Sequence, residues 1–208
     1  GGAAAAVARA ALQVAPLVGG ELRRTTLLLV GVWFGMSCGW YATILWIPEY
    51  FRRRGVEAGS MYASTLAVAL ANLPGNLASA LLVNKAGRKR TLAWCMGGGA
   101  VAALGFAGTP ASAGWSLVAA CVFNGVSVGG WNMLDLITVE MYPTEVRSTA
   151  MGLLGAVGRL GASGGTAMNG VLGNWLGAGV GSLLMAFLAM AGGGACAMAL
   201  PETAGAAR

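Results

Sequence analysis

The chain has 208 residues, of which 57% are hydrophobic and 35 are glycine, while only 10% are charged. Roughly a quarter of the residues of a soluble domain are charged, so this composition excludes an ordinary soluble domain and favours an integral membrane protein. There is no histidine, which excludes a histidine proton relay, a Ser-His-Asp triad and a histidine metal site. The net charge of +6 is gathered in short clusters between apolar runs, a pattern that is not typical of a nucleic-acid-binding surface.

Six apolar runs are long enough to span a bilayer, which takes about 20 residues. The sequence therefore predicts an all-α fold, an integral membrane bundle of six helices within residues 23–200. Residues 1–22 are predicted to be a cytoplasmic linker and residues 201–208 a cytoplasmic tail. Because the sequence begins at Gly1 and not at methionine, we expect it to be a piece of a longer protein. The six runs are residues 25–48, 58–83, 91–109, 113–140, 148–172 and 178–200.

The basic residues predict the orientation of the bundle. An even number of spans puts both ends of the chain on the same side of the membrane. If the loops at 84–90 and 141–147 share that side, it carries most of the basic residues, whereas the other side carries Arg52, Arg53 and Arg54. The excess of lysine and arginine on cytoplasmic loops then places both termini in the cytoplasm.

Polar side chains recur at helical spacing on the first, second, fourth and fifth runs, whereas the third and sixth are apolar. This order repeats after three helices, as in the inverted repeats of secondary transporters. We expect the polar faces to line a solute pathway and the third and sixth helices to face lipid. The pathway positions are Tyr41, Asn72, Asn76, Asn124, Trp131, Asn132, Asp135, Arg159 and Ser163.

Arg159 and Asp135 are the charged candidates on this pathway. Arg159 lies roughly 16 Å into its run at about 1.5 Å per residue, where an arginine is costly unless it faces water or a partner. Either Arg159 binds the solute, or it forms a structural ion pair with Asp135, and an ion pair that the solute breaks would combine both roles. Asp135 is also the candidate acceptor of a proton or cation. Glu49 is either a gate residue or a solvated residue at the membrane interface.

Aromatic residues and asparagines allow two interpretations each. Trp33, Trp40, Tyr41 and Trp131 either stack on a planar solute or anchor helix ends at the interface, and Tyr41 and Trp131 fit the anchor role less well. The asparagines either bind solute or join helices by hydrogen bonds. The glycines of residues 152–165 are interpreted as sites of close helix contact, since no strand precedes them as it would in a nucleotide-binding loop.

Four short motifs occur in a fixed order along the chain. They are residues 21–29 (ELRRTTLLL), 84–90 (NKAGRKR), 140–147 (EMYPTEVR) followed by 158–161 (GRLG), and 201–205 (PETAG). In this order they resemble the second half of transporters of the major facilitator superfamily. The resemblance is to the branch that holds synaptic-vesicle-2-related proteins, organic ion transporters and niacin-type carriers.

The resemblance implies that this chain is the C-terminal half of a twelve-helix transporter, equivalent to its helices seven to twelve. Helices seven and ten would then line the central cavity, eight and eleven would face the other half, and nine and twelve would be peripheral. It also implies a cytoplasmic gate, in which Asn84 stands where the family usually has aspartate. The gate residues would be Asn84, Gly87, Arg88, Arg90, Glu140, Glu145 and Arg147.

The function expected from these features is transport of a small organic solute by alternating access. Arg159 favours an anionic or carboxylate-bearing solute, and Asp135 favours coupling to a proton or another ion, as in a symporter. The partners would be the solute, the lipid bilayer and the missing six-helix half or a second copy, with no cofactor, metal or nucleic acid. A non-transporting membrane receptor or scaffold of the same fold is the alternative. An enzyme is not expected, because no nucleophile and base set is present.

Overall fold

A computed structural model describes residues 14–53, 55, 57–108, 112–175 and 180–201. Every regular element in that part of the chain is a helix, which confirms the all-α prediction, and six helical stretches coincide with the six apolar runs. Residues 14–18 form a short helical segment. The longer helices are α1 (Leu22–Ile44), α2 (Ile47–Arg53), α3 (Ala58–Leu70), α4 (Asn72–Ala86), α5 (Arg88–Gly108), α6 (Ala113–Met141), α7 (Thr144–Trp175) and α8 (Val180–Ala199).

Three stretches of the described chain are long and apolar enough to cross a bilayer, Leu22–Arg52, Gly59–Ala86 and Gly114–Met141, and Leu183–Ala199 is apolar but shorter. Helix α5 opens with three basic residues, and α7 contains several charged ones, which lowers their apolar character. The predicted linker at 1–22 and tail at 201–208 lie largely outside the described residues, so those boundaries stay a prediction.

Two of the predicted spans are interrupted, which corrects the uninterrupted runs expected from hydropathy. The first run breaks at a turn over residues 45–46, and Pro48 lies in the first turn of α2, where a residue without an N–H is tolerated. The break gives Glu49 a local partner, since Arg52 Nη2 lies 2.7 Å from Glu49 Oε1.

The second run is distorted at Ala71, between α3 and α4, where the backbone stays helical and the Ala71 amide still donates to the Ala67 carbonyl. Pro74 cannot donate to the carbonyl of Leu70, and its ring crowds that carbonyl, so a continuous helix is unfavourable there. The polar residue Thr65 therefore lies on α3, whereas Asn72, Asn76 and Ser79 lie on α4. Thr65 is exposed and its hydroxyl donates to the Met61 carbonyl on its own helix.

Helix α1 lies at the centre of the described bundle and packs against α7 on one side and α8 on the other, while α5 packs against α6 and α8. The glycines of α1 recur at a spacing of four residues, and Gly31, Gly35 and Gly39 all face α8, as expected for a close helix crossing. A Cβ on Gly35 would collide with the Ala189 carbonyl oxygen, so the two backbones touch at this point. This crossing leaves the opposite face of α1 for the site described below.

The Gly35 crossing gives a prediction for stability. A Gly35→Ala variant should lower the thermal unfolding midpoint of the full-length protein in detergent, because overpacking of a close contact costs about 1–3 kcal/mol. Gly97→Ala on α5 is the matched control, since its Cβ would meet nothing within 4 Å. Alanine is preferred to glycine in a helix by up to about 1 kcal/mol, so the control should hold or raise the midpoint. Equal midpoints for the two variants would contradict the packing described for α1 and α8.

Candidate functional site

A small cavity opens on the face of α1 that points away from α8. Its volume is about 210 Å³. Helix α1 supplies side chains at a spacing of four residues, which places them on one face, and α6 and α7 close the sides. The lining residues are Trp33, Ser37, Tyr41, Trp131, Gly155, Gly158 and Arg159. Three of these, Tyr41, Trp131 and Arg159, are predicted pathway residues.

An aromatic cluster forms one wall of the cavity, with Trp131 at its centre. The ring centroids of Trp33, Trp40 and Tyr41 lie 6.2, 5.9 and 6.3 Å from that of Trp131, and each pair meets edge to face. Trp40 and Tyr41 meet in the same way at 4.7 Å. Edge-to-face contacts of this kind favour one arrangement of the rings, so the wall is preformed.

Hydrogen bonds fix two of these indoles and leave a third without a partner. Trp33 Nε1 donates to Thr138 Oγ1 at 3.1 Å, and Trp40 Nε1 donates to Asn124 Oδ1 at 3.3 Å. The buried Trp131 Nε1 has no acceptor among the described residues. An unsatisfied buried donor in a cavity wall is unfavourable and is a candidate position for an acceptor from outside the chain.

Arg159 carries the positive charge of the cavity. Its Nη1 donates to the Tyr41 hydroxyl oxygen at 3.4 Å, which joins α7 to α1. The ion pair with Asp135 that the sequence left open is not formed among the described residues, whose ion pairs include Arg52 with Glu49 and Arg88 with Glu140. The guanidinium therefore keeps donors available on the cavity side.

Asp135 and Ser163 lie at the edge of this arrangement. Asp135 is four residues beyond Trp131 on α6, and Ser163 is four residues beyond Arg159 on α7, so each shares a face with a cavity residue. Both are exposed, and neither lines the cavity. Their roles in the pathway stay predictions.

Three of the four asparagines predicted on the pathway, Asn76, Asn124 and Asn132, join helices. Asn124 is buried, its Nδ2 donates to the Val68 carbonyl at 2.8 Å, and its Oδ1 accepts from Trp40. Asn132 Nδ2 donates to Asn76 Oδ1 at 2.6 Å and lies 3.3 Å from Ser79 Oγ, which ties α6 to α4. These bonds agree with the helix-joining interpretation, and the buried Asn72 Oδ1, by contrast, has no partner among the described residues.

The predicted cytoplasmic gate contains one cross-helix ion pair. Arg88 Nη2 lies 3.0 Å from Glu140 Oε1, so the loop between α4 and α5 is joined to the end of α6. Gly87 has φ of 83°, a conformation that favours glycine, and it sets the turn before Arg88. Asn84 Nδ2 donates to the Ala80 carbonyl at 3.3 Å, and Arg147 Nε donates to the Tyr142 carbonyl at 3.3 Å. Glu145 and Arg90 are exposed and stay predicted gate residues.

The loop between α6 and α7 is also tied to the start of α1. The buried Tyr142 hydroxyl donates to Thr26 Oγ1 at 2.9 Å. Burial raises the pKa of the Tyr142 phenol, with the hydrogen bond to Thr26 acting in the opposite direction, so the phenol stays a neutral donor at ordinary pH. This bond fixes the position from which α7, and with it Arg159, enters the bundle.

The sequence interpretation missed two features of the cavity, the open space at Gly155 and the position of Trp40. Gly158 makes the close contact expected of it, since a Cβ there would lie 2.8 Å from Ser37 Oγ. Gly155 does not: a Cβ there would meet nothing within 4 Å, and the open space belongs to the cavity. Trp40 was weighed as a stacking residue but not placed on the pathway, and it holds the aromatic wall from behind. Gly155 lies four residues before Arg159 and so shares its helix face, which is the signal that could have identified Gly155 as a cavity residue.

The sequence comparisons identify the family. The family model of the Major Facilitator Superfamily matches residues 3–166. The niacin transporter NiaP of Acinetobacter baylyi is 34% identical over 142 residues, covering 68% of this chain and 32% of that protein. The putative niacin/nicotinamide transporter NiaP of Bacillus subtilis is 35% identical over 149 residues, covering 72% and 37%. Synaptic vesicle glycoprotein 2B of Rattus norvegicus is 40% identical over 152 residues, covering 69% and 20%.

These matches agree with the resemblance in the four motifs, including the branch that was named for it. The matched part of the chain corresponds to 20% to 37% of the length of these three relatives. The match to the family model covers most of the bundle, from before α1 to the middle of α7. The chain therefore belongs to the Major Facilitator Superfamily and is part of an integral membrane helical bundle.

Proposed function

We propose that the complete protein moves a small organic anion with a planar ring across a membrane by alternating access. The observation that carries this proposal is the cavity itself, which places the Arg159 guanidinium beside the rings of Trp33, Tyr41 and Trp131. A guanidinium binds a carboxylate through paired N–H donors, and aromatic walls accept a flat ring. The unpaired Trp131 Nε1 adds a further donor.

The small size of the cavity supports a solute site to which this chain contributes only part of the wall. Ligand pockets usually measure about 300–1,000 Å³, whereas the cavity of this chain measures about 210 Å³. A second set of six helices, or a second copy of this chain, would supply the remaining wall. The exposed leucines Leu73, Leu77 and Leu81 of α4 offer an apolar face for that partner.

Both termini are proposed to lie in the cytoplasm, on the basis of the distribution of basic residues.

The names of the relatives support a transporter rather than an enzyme. Two of the three relatives above are named as transporters of niacin or nicotinamide. The third is named as a synaptic vesicle glycoprotein, which leaves a non-transporting receptor or scaffold as the second candidate function. The Arg159 donors that face the cavity favour transport, because a purely structural arginine would be expected to have its donors satisfied within the protein.

Uptake into proteoliposomes tests the proposal. The full-length protein should accumulate a radiolabelled aromatic monocarboxylate and should discriminate against the matching neutral amide, since the amide lacks the charge that Arg159 binds. Saturable stabilisation by the carboxylate without any uptake or exchange would instead identify a receptor. Absence of both uptake and stabilisation for ring-bearing carboxylates would contradict the proposed solute class.

Asp135 is proposed to couple transport to protons. Asp135→Asn removes the titratable group and keeps its size, so proton-driven accumulation should be lost while exchange of labelled for unlabelled solute continues. Glu57→Gln is the matched control, since Glu57 is an exposed carboxyl just before α3, outside both the cavity and the predicted gate. Accumulation driven by a pH gradient in Asp135→Asn at the level of Glu57→Gln would show that the coupling group lies elsewhere.

A further inference from the structure

A long apolar groove runs along the outer surface of the bundle, between α4, α5 and α6. Its larger part has a volume of about 480 Å³ and is lined by Ala78, Leu82 and Trp94 among others. A second part of about 240 Å³ continues toward Gly105, and Val122 lines both. The groove shares no residue with the cavity around Arg159.

The groove results from a close helix crossing at its floor. A Cβ on Gly75 would collide with the Gly125 carbonyl oxygen, so α4 and α6 touch there through their backbones. Leu82 and Trp94 rise on either side of this floor and are 38% and 56% exposed. The groove is therefore fixed by the fold and does not depend on the rotamer of one mobile side chain.

Two basic residues stand at one end of the groove. Lys85 lies one turn beyond Leu82 on α4, and Arg90 lies one turn before Trp94 on α5, so both share the groove's faces. Both are exposed, and neither has an acidic or hydrogen-bonding partner in the described part of the chain. They border a polar recess of about 540 Å³ formed by residues 83–90. An apolar groove that ends at two cations without a partner among the described residues is complementary to an anionic amphiphile, which has an apolar chain and a negatively charged head.

The length of the groove matches one leaflet of a bilayer. From Trp94 to Gly105 α5 rises by about 16 Å at ~1.5 Å per residue, and half of the ~30 Å hydrocarbon core is about 15 Å. We propose that this groove binds one anionic phospholipid, with an acyl chain between α4, α5 and α6 and the headgroup phosphate at Lys85 and Arg90. Basic pockets between membrane helices are general sites for acidic headgroups.

A protein occupant is less consistent with the charges and faces of α4. The exposed leucines Leu73, Leu77 and Leu81 lie on a different face of α4 from Ala78 and Leu82, so a partner helix bundle on that leucine face would leave the groove open to lipid. The pair of cations at one end would also require acidic residues at a matching position of the partner. The lipid needs only its phosphate there.

Fluorescence quenching by brominated lipids tests the proposal. The full-length protein is reconstituted with phosphatidylglycerol or phosphatidylcholine brominated in the acyl chains, and the Trp94 contribution is the difference between wild type and Trp94→Phe. Each basic residue near a membrane surface favours anionic lipid severalfold, so brominated phosphatidylglycerol should half-quench Trp94 at a mole fraction roughly tenfold lower than brominated phosphatidylcholine.

The variant Lys85→Gln/Arg90→Gln should lose this preference and quench alike with both lipids. Arg23→Gln/Arg24→Gln is the matched control, since it removes two exposed charges at the start of α1, on the same side of the bundle, and should keep the preference. Three results would overturn the proposal: equal quenching of wild type by the two lipids, a preference retained without Lys85 and Arg90, or no quenching of Trp94 at all, as expected if protein covers the groove.

Discussion

Replacing Arg159 by alanine should abolish uptake of an aromatic carboxylate by the full-length protein, while the protein still folds and inserts. Arg159 is exposed on the cavity side and hydrogen-bonds only Tyr41 within the described residues, so its loss leaves no buried partner unsatisfied. Hydrogen bonds to charged groups contribute about 1.5–3 kcal/mol, which corresponds to roughly 10- to 100-fold in affinity for one bond. The measurement is the initial rate of uptake into proteoliposomes over a range of solute concentrations.

Lysine at this position separates charge from geometry. Arg159→Lys keeps the charge but not the paired donors of the guanidinium, so KM should rise about tenfold or more with a smaller change in kcat. Tyr41→Phe keeps the ring and removes only the hydroxyl that accepts from Arg159, and its effect should be the smallest of the three. If the Arg159→Ala variant takes up every accepted anion as wild type does, Arg159 is a structural residue and the proposal that it binds an anionic solute is wrong.

The positions of the helices could be predicted from the sequence because long apolar runs have few alternatives in lipid. Their interruptions could not be placed from hydropathy alone. Pro48 and Pro74 lie inside apolar runs, and whether a proline bends, breaks or begins a helix depends on the carbonyl four residues earlier and on what packs around it. In the structure the regular helix is interrupted before each proline, at residues 45–46 and at Ala71.

In the candidate site, too, the face of a helix could be predicted from the sequence, but the partners of its side chains could not. The spacing of Trp33, Ser37 and Tyr41 predicts one face of α1, and the structure places all three in the cavity wall. The partner of Arg159 could not be predicted, because the sequence offers Asp135 by charge, whereas the packing of α7 against α1 brings Tyr41 to it instead. The sequence likewise predicts Asn124 to be a pathway residue, whereas in the structure its Nδ2 donates to the Val68 carbonyl and its Oδ1 accepts from Trp40. Such pairings depend on tertiary packing between segments more than fifty residues apart.

Filling the cavity through Gly155 should block transport without unfolding the protein. A Cβ at Gly155 would meet nothing within 4 Å, and the residue lines the cavity, so Gly155→Leu adds a side chain to the space that the solute ring would occupy. Binding of the carboxylate should fall by at least about 10-fold, because overpacking costs typically 1–3 kcal/mol. The measurement is solute-induced quenching of tryptophan fluorescence together with uptake.

Gly152→Leu is the matched control for this variant. Gly152 lies one turn earlier on α7, and a Cβ there would also meet nothing within 4 Å, but it does not line the cavity. Both variants exchange glycine for a better helix former and add the same apolar side chain, so both should keep the thermal midpoint of wild type. Only Gly155→Leu should lose solute binding. Loss in both variants would point to the packing of α7 against the other half of the transporter, and loss in neither would place the solute outside the cavity of Trp33, Trp131 and Arg159.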